Sequence, residues 1–302
     1  MKLGCSTLQY ENAGISLFEA IKNIGAIGYR GVELTFGFGY ISEQIPEFPK
    51  IEDLREVLYE SNVKVGSFST SLFWGYGKNK VKNNKKILER MADITVELGG
   101  DHLVVVTGPW PDDIDRGTAW NNMTENLSWA ARMCAERGLK LALESVVTWP
   151  VRDSKTFLEM KEKVGDNFYT NIDPSNYGIS GEDPVPVVRK LKNYVGGVHL
   201  KDAKFKGVIE EEVFAWMDAL VKGIEGKSQK ELTFKGAKPE FTPMGEGDVD
   251  FRSLLVVLKE VDYVGWCMVE YEGIYSGYYN DPVRASQDSF QYLEPIFGDL
   301  NA

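Results

Sequence analysis

The chain has 302 residues, 43% of them hydrophobic and 26% charged, with a formal net charge of -11. That acidity opposes a phosphate-backbone partner such as nucleic acid, which calls for a basic face, and favours a neutral or cation-assisted substrate. No apolar run approaches the ~18 residues of a membrane span.

The start, "MKLGCSTLQYENAG", lacks the apolar core of a secretory signal. Cys5, Cys134 and Cys267 are odd in number and form no CxxC pair, so reduced, buried thiols in a cytoplasmic protein are expected. Short β-rich runs then alternate with longer amphipathic ones. A strand over 2–7 precedes a helix over 16–28; a strand over 31–36 precedes a helix over 51–62. Strands over 63–69 and 101–108 precede helices over 83–99 and 122–138. Strands over 139–145 and 168–173 follow, then a helix over 185–193 and a strand over 195–202. A helix over 248–261, a strand over 265–272 and a helix over 281–297 complete the series. Many of the helices stop at Gly or Asn, and several open on Asp, Asn or Ser, the side chains that satisfy terminal backbone groups. Val, Ile and Leu-rich strands alternating with helices imply a parallel sheet covered on both faces.

Eight such units predict an α/β fold of the (β/α)8 TIM-barrel class, in a single domain spanning 1–302. An open doubly wound sheet is the rival, but the first strand runs into "LQYENAG" rather than a GxGxxG turn. An insertion at 203–248, helical over 207–223, separates the seventh strand from its helix. It falls on the face where barrels place their chemistry, and a lid or pocket wall is expected of it, with a contact in a homo-oligomer as the alternative.

Polar residues at the ends of buried barrel strands mark that same face. Four occur in succession on strands five to eight: Glu144, Asp173, His199 and Glu270. Each has an ordinary explanation alone, as a helix cap, a turn former before Pro174, a core histidine or an ion pair. Together they converge three carboxylates, which would repel unless one stayed protonated or a cation sat among them. Three carboxylate oxygens and one imidazole suit one divalent ion, Mn²⁺, Mg²⁺ or Co²⁺, with Zn²⁺ a further candidate. With only His102 and His199 in the chain, a three-histidine zinc site is excluded. His102 opens the fourth strand, at the end away from the chemistry, and is read as structural.

Glu144, "DPSN" (173–176), "HLKD" (199–202), "PMGEGDVDF" (243–251) and "GWCMVEYEG" (265–273), with "GVELTF" early on, resemble the xylose-isomerase-like TIM barrels. That superfamily includes sugar (phosphate) isomerases and epimerases, inosose dehydratases and endonuclease IV. The resemblance covers almost the whole chain and implies a metal held by Glu144, Asp173, His199 and Glu270. It also implies that Glu144 and Glu270 are the catalytic acid/base pair. The chain departs from many relatives at Asn176, where they carry histidine, and it lacks the histidines that an endonuclease IV trinuclear site needs.

The chemistry so implied is proton transfer next to a carbonyl, through an enediolate stabilised by the metal as Lewis acid. Return of the proton on the other face gives epimerisation, and transfer to the neighbouring carbon gives isomerisation. Expulsion of a β-hydroxyl gives a dehydratase or keto-sugar lyase, and a polyol-binding barrel without turnover is a further alternative. Substrate contacts are expected from Lys201, which could hold charge on the enediolate or pair with Asp202 or Glu272, and from Asn176, Glu33 and Glu272. Trp110 and Trp74 head a set of aromatics, with Phe36, Phe38, Tyr76, Trp149, Tyr177, Tyr271 and Tyr275, able to pack on the C–H faces of a sugar or polyol.

Overall fold

The computed structural model describes residues 1–35, 42–224, 235–278 and 280–301. In chain order, β1 (Lys2–Ser6) leads through α1 (Leu8–Asn12) and α2 (Leu17–Ile27) to β2 (Gly31–Thr35). Then come α3 (Ile51–Glu60), β3 (Lys64–Thr70), α4 (Lys82–Glu97), β4 (His102–Val105) and α5 (Arg116–Glu136). The alternation continues with β5 (Lys140–Glu144), α6 (Ser154–Val164), β6 (Phe168–Ile172), α7 (Pro174–Ile179), α8 (Pro184–Leu191) and β7 (Val195–Leu200). A hairpin of β8 (Asp202–Lys204) and β9 (Glu240–Thr242) brackets α9 (Glu210–Ile224). It is followed by α10 (Phe251–Glu260), β10 (Trp266–Val269) and α11 (Pro282–Asn301).

Eight strands close into a barrel in the order β1-β10-β7-β6-β5-β4-β3-β2, every neighbouring pair parallel. These are the eight runs expected from the sequence, and the TIM-barrel reading holds. Inside the ring, Trp266 and Met268 of β10 fill the space beside β1, β2 and β3. A Cβ on Gly31 would come within 2.3 Å of the Trp266 ring, and one on Gly66 within 2.4 Å of Met268. Small residues on one side therefore accept large ones from the other, as close packing requires.

Helix ends follow local chemistry. Ser16, Asp115, Asp153, Asp183 and Asp250 each accept a backbone N–H from the first turn of the helix they open. The Asp115 cap starts α5 six residues before the expected 122. α6, absent from the expected elements, opens on a reciprocal pair between Asp153 and Thr156 and stops at Gly165. The expected strand over 101–108 is paired only from His102 to Val105, and its remainder is a loop at the barrel mouth.

Two register shifts interrupt the ladders, one between Val32 and Glu33 and one between Thr170 and Asn171. A bulge of this kind re-aims the residue beside it. Both Glu33 and Asn171 reach the centre described below.

The described part of the insertion packs on the barrel. Val213, Trp216, Met217 and Leu220 of α9 join Phe241 of β9, Val147 and Ile179 in a second apolar cluster, in which Trp216 and Phe241 meet edge-on at 5.6 Å. No helix among the described residues is long and apolar enough to cross a membrane.

Candidate metal centre

Parallel strands in a barrel all end on one rim, so residues at corresponding strand ends meet although they lie far apart in the chain. Glu144 is the last residue of β5, Asp173 follows β6 and caps α7, His199 lies in β7, and Glu270 follows β10. One ligand atom from each falls within 4.8 Å of the others, and all four side chains are buried.

His199 is fixed from behind. Its Nε2 lies 3.0 and 3.2 Å from the two carboxylate oxygens of Glu33, and Ser67 Oγ donates to Glu33 Oε2 at 2.7 Å. An ionised carboxylate only accepts, so Nε2 carries the proton and Nδ1 is the atom turned inward. Nδ1 has no aligned hydrogen-bond partner, yet lies 2.9 Å from Glu144 Oε2 and 3.6 Å from Glu270 Oε1. Lone pairs brought this close inside a protein need a positive charge between them, either a proton or a metal ion. The carboxylate–histidine arrangement behind the ring is the one that orients metal-ligating imidazoles. The residues therefore fit one divalent ion.

The other ligands are tied to one another. Asp173 Oδ1 accepts from Ser175 N at 2.9 Å, Ser175 Oγ at 2.7 Å and Asn176 N at 3.3 Å, which also starts α7. Asn176 Nδ2 donates to Glu144 Oε1 at 2.8 Å and Asp173 Oδ2 at 3.1 Å, and Asn171 Nδ2 reaches Glu144 Oε2 at 3.3 Å. Asn176 thus clamps the Glu144 and Asp173 carboxylates together.

Lys201 was expected to touch substrate or to pair with Asp202 or Glu272. Its Nζ lies 2.8 Å from Asp173 Oδ2, 2.8 Å from Glu270 Oε2 and 2.7 Å from Glu272 Oε2, with Glu144 Oε1 at 3.8 Å. Its predicted partner Glu272 is present, whereas Asp202 points elsewhere. The Asp202 carboxylate accepts backbone N–H groups from Ala203, Gly245, Gly247 and Val249, knotting the "GEGDV" segment onto the end of β7.

Charge and burial set the protonation states of this group. Burial pushes the Glu144 carboxyl up, nearby Glu270 adds to that against the pull of His199 and Lys201, and it reaches about 7. Burial also opposes ionisation of Glu270, but Lys201 and His199 outweigh it and hold that carboxyl well below the usual range. Burial works against the His199 and Lys201 cations, yet the surrounding carboxylates raise both above their ordinary values. Burial raises Glu272.

Other expected contacts lie differently. Glu33 and Trp74 are both 0% exposed. Glu33 is spent on His199 and Ser67, and Trp74 packs in the main core, so neither offers surface to a substrate at the open rim. Tyr177 is likewise buried, its hydroxyl shared with Ser145 and Thr170. Trp110 is half-buried and stacks on Trp120 at 6.4 Å, while Phe36 and Phe38 lie outside the described residues. His102 sits at the start of β4 beside Asp101, at the far end of the strand. Phe241 of β9 places its ring 5.1 Å from Lys201 Nζ.

Comparison with known proteins identifies the fold and the family. The family model described as "Xylose isomerase-like TIM barrel" matches residues 20–296. An inosose dehydratase of Clostridium tetani is 29% identical over 170 residues, 55% of this chain and about half, 49%, of that enzyme. One of Clostridium botulinum is 24% identical over 268 residues, covering 84% of this chain and 81% of its own. Among solved structures, the IOLI protein with a zinc atom bound superposes with a TM-score of 0.72 at 16% identity, over 99% of both chains. D-allulose 3-epimerase from Methylomonas sp. in complex with D-allulose gives 0.71 at 16% identity, over 98% of this chain and 97% of that one.

Proposed function

The chain belongs to the xylose isomerase-like TIM barrel family, and from that premise we propose that it is a divalent-metal-dependent isomerase or epimerase of a sugar or polyol carbonyl compound. The observation that carries the reading is His199 Nδ1, turned by Glu33 toward the oxygens of Glu144 and Glu270 without an aligned hydrogen bond to either. Glu144, Asp173, His199 and Glu270 would hold the ion, which would polarise the carbonyl as a Lewis acid.

The protein's own groups divide the proton work. Glu270, kept ionised by Lys201 and His199, is the base that takes the proton from the carbon beside the carbonyl. Glu144 is the second carboxylate of the pair, the partner that exchanges a proton on the other face of that carbon. Carboxylates suit this work because their neighbours can tune them toward neutrality. Asn176 keeps Glu144 facing the substrate position, and the wall formed by Phe241 excludes water from it. In this reading 1–302 is one catalytic domain, with 203–248 as a wall of its site.

Dehydration is the second reading, favoured by the relatives named inosose dehydratases. It shares the first step and differs only in whether the electron pair then expels a β-hydroxyl.

The test is incubation of the metal-loaded protein with a panel of ketoses and keto-inositols in D₂O. Deuterium is expected at the carbon beside the carbonyl, with the wash-in lost in Glu270→Gln. Retained hydroxyl count indicates isomerase or epimerase, and loss of one water indicates dehydratase. No exchange with any member would overturn the catalytic reading.

A further inference from the structure

Asp173, one of the four expected ligands, has no oxygen lone pair to spare. A carboxylate offers about four acceptor positions. Three donors, from Ser175 and Asn176, already crowd Oδ1, and Asn176 Nδ2 with Lys201 Nζ occupies Oδ2. Of these donors only Lys201 lies outside the Asp-Pro-Ser-Asn turn that Asp173 itself caps. An incoming ion can therefore gain Asp173 only from Lys201.

Lys201 in turn behaves as a bound cation. Its three ammonium hydrogens match three carboxylates, Asp173, Glu270 and Glu272, at 2.7–2.8 Å, and its side chain is only 4% exposed. Without it, these acids would face one another in a water-poor cavity with His199 as their one remaining positive neighbour among the described residues, a costly arrangement. Glu272 differs from the rest: its side chain is 21% exposed, so it lies toward the rim.

We propose that Lys201 is a resident, displaceable cation of this centre. It neutralises the carboxylates while no metal is present, yields Asp173 to an arriving divalent ion, and moves its ammonium onto Glu272 at the rim. The inference rests on the metal-centre reading above. It adds that the ion competes with a built-in positive charge as well as with water, and that arrival of the ion delivers an ammonium to the substrate side of the site.

The experiment compares wild type with Lys201→Met, which keeps the apolar stem and removes the charge. Metal-free Lys201→Met is expected to melt below wild type, and titration calorimetry to show Mn²⁺ bound about tenfold or more tighter, since a like charge a few ångströms away is gone. Folding of the variant only when Mn²⁺ is supplied would support the proposal equally. Equal or weaker Mn²⁺ binding would overturn it, because Lys201 would then be holding the carboxylates for the ion instead of against it.

A second measurement needs no variant. In wild-type protein labelled with ¹⁵N-lysine, a slowly exchanging buried ammonium resonance is expected without metal, and it must shift on saturation with Mg²⁺. An unchanged resonance in Mg²⁺-saturated protein overturns the displacement. Absence of Mn²⁺ uptake by both proteins would instead overturn the metal centre itself, so the two failures are distinguishable.

Discussion

Glu144 shows how one side chain takes its properties from its neighbours. Buried beside Glu270, it holds its proton to about pH 7 although the ordinary value is 4.5. A raised carboxyl binds its proton more tightly folded than unfolded. Its contribution to the stability of the metal-free protein is therefore complete below pH 4.5 and is lost as pH rises through 7. A metal ion needs the ionised form, so apparent metal affinity should rise with pH up to about 7 and flatten beyond it. Calorimetry with Mn²⁺ from pH 5.5 to 8 checks this. Glu144→Gln should remove the inflection, and a curve flat across that range in wild type would refute the assignment. The four residues that meet at the centre were legible because polar residues stand out at the ends of apolar strands. Glu33 was legible only as a polar residue in such a strand. What turns it onto His199 is a bulge at Val32–Glu33, and alternation along one strand carries no trace of its partner's register. The burial of Trp74 was not legible for a related reason: an aromatic in a loop after a strand reads the same whether it lines the mouth or folds back into the core.

At the scale of elements, one side chain ties the end of the insertion to the end of β7. The Asp202 carboxylate gathers four backbone N–H groups, and a Cβ on Gly247 would sit 2.1 Å from its Oδ1. The residue next to Lys201 therefore fixes the segment that returns from β9 to α10. Truncation to Ala would strand these donors, and at ~1–3 kcal/mol for each one left dry, partly relieved by water, Asp202→Ala should cost about 2–5 kcal/mol. Urea unfolding measures that loss, and Gly247→Ala should show a similar one through steric conflict. Stability unchanged in both would mean the segment is held elsewhere. The motif "HLKD" followed by "GEGD" was visible as a resemblance, but its division of labour was not, since adjacent residues of one strand face opposite ways and only coordinates show that Lys201 serves the centre and Asp202 the loop. α6 was legible and passed over: Asp153, Thr156 and Gly165 are ordinary start and stop signals on a segment whose apolar spacing is modest.

Across the whole molecule, the barrel and the centre depend on each other unequally. Eight parallel strands and their helices bury one continuous apolar core, while among the described residues five carboxylates (Glu33, Glu144, Asp173, Glu270 and Glu272) meet two cationic side chains, His199 and Lys201, at its mouth. The first fact predicts that a chelated protein keeps its fold, the second that it loses part of its stability. An ion that binds the folded state alone stabilises it by about 2.7 kcal/mol at a free concentration a hundred times its Kd. Unfolding entropy near 2.1 cal/mol/K per residue turns that into roughly 4 °C of melting temperature for a chain of this length. Mn²⁺ at that excess should therefore raise the melting point by about this amount over EDTA-treated protein, with far-UV circular dichroism unchanged at 25 °C. His199→Ala should abolish the rise while leaving the EDTA-treated spectrum that of a folded barrel. Loss of the spectrum on chelation would show that the ion builds the barrel, and a rise that survives His199→Ala would place the binding site away from the four strand ends.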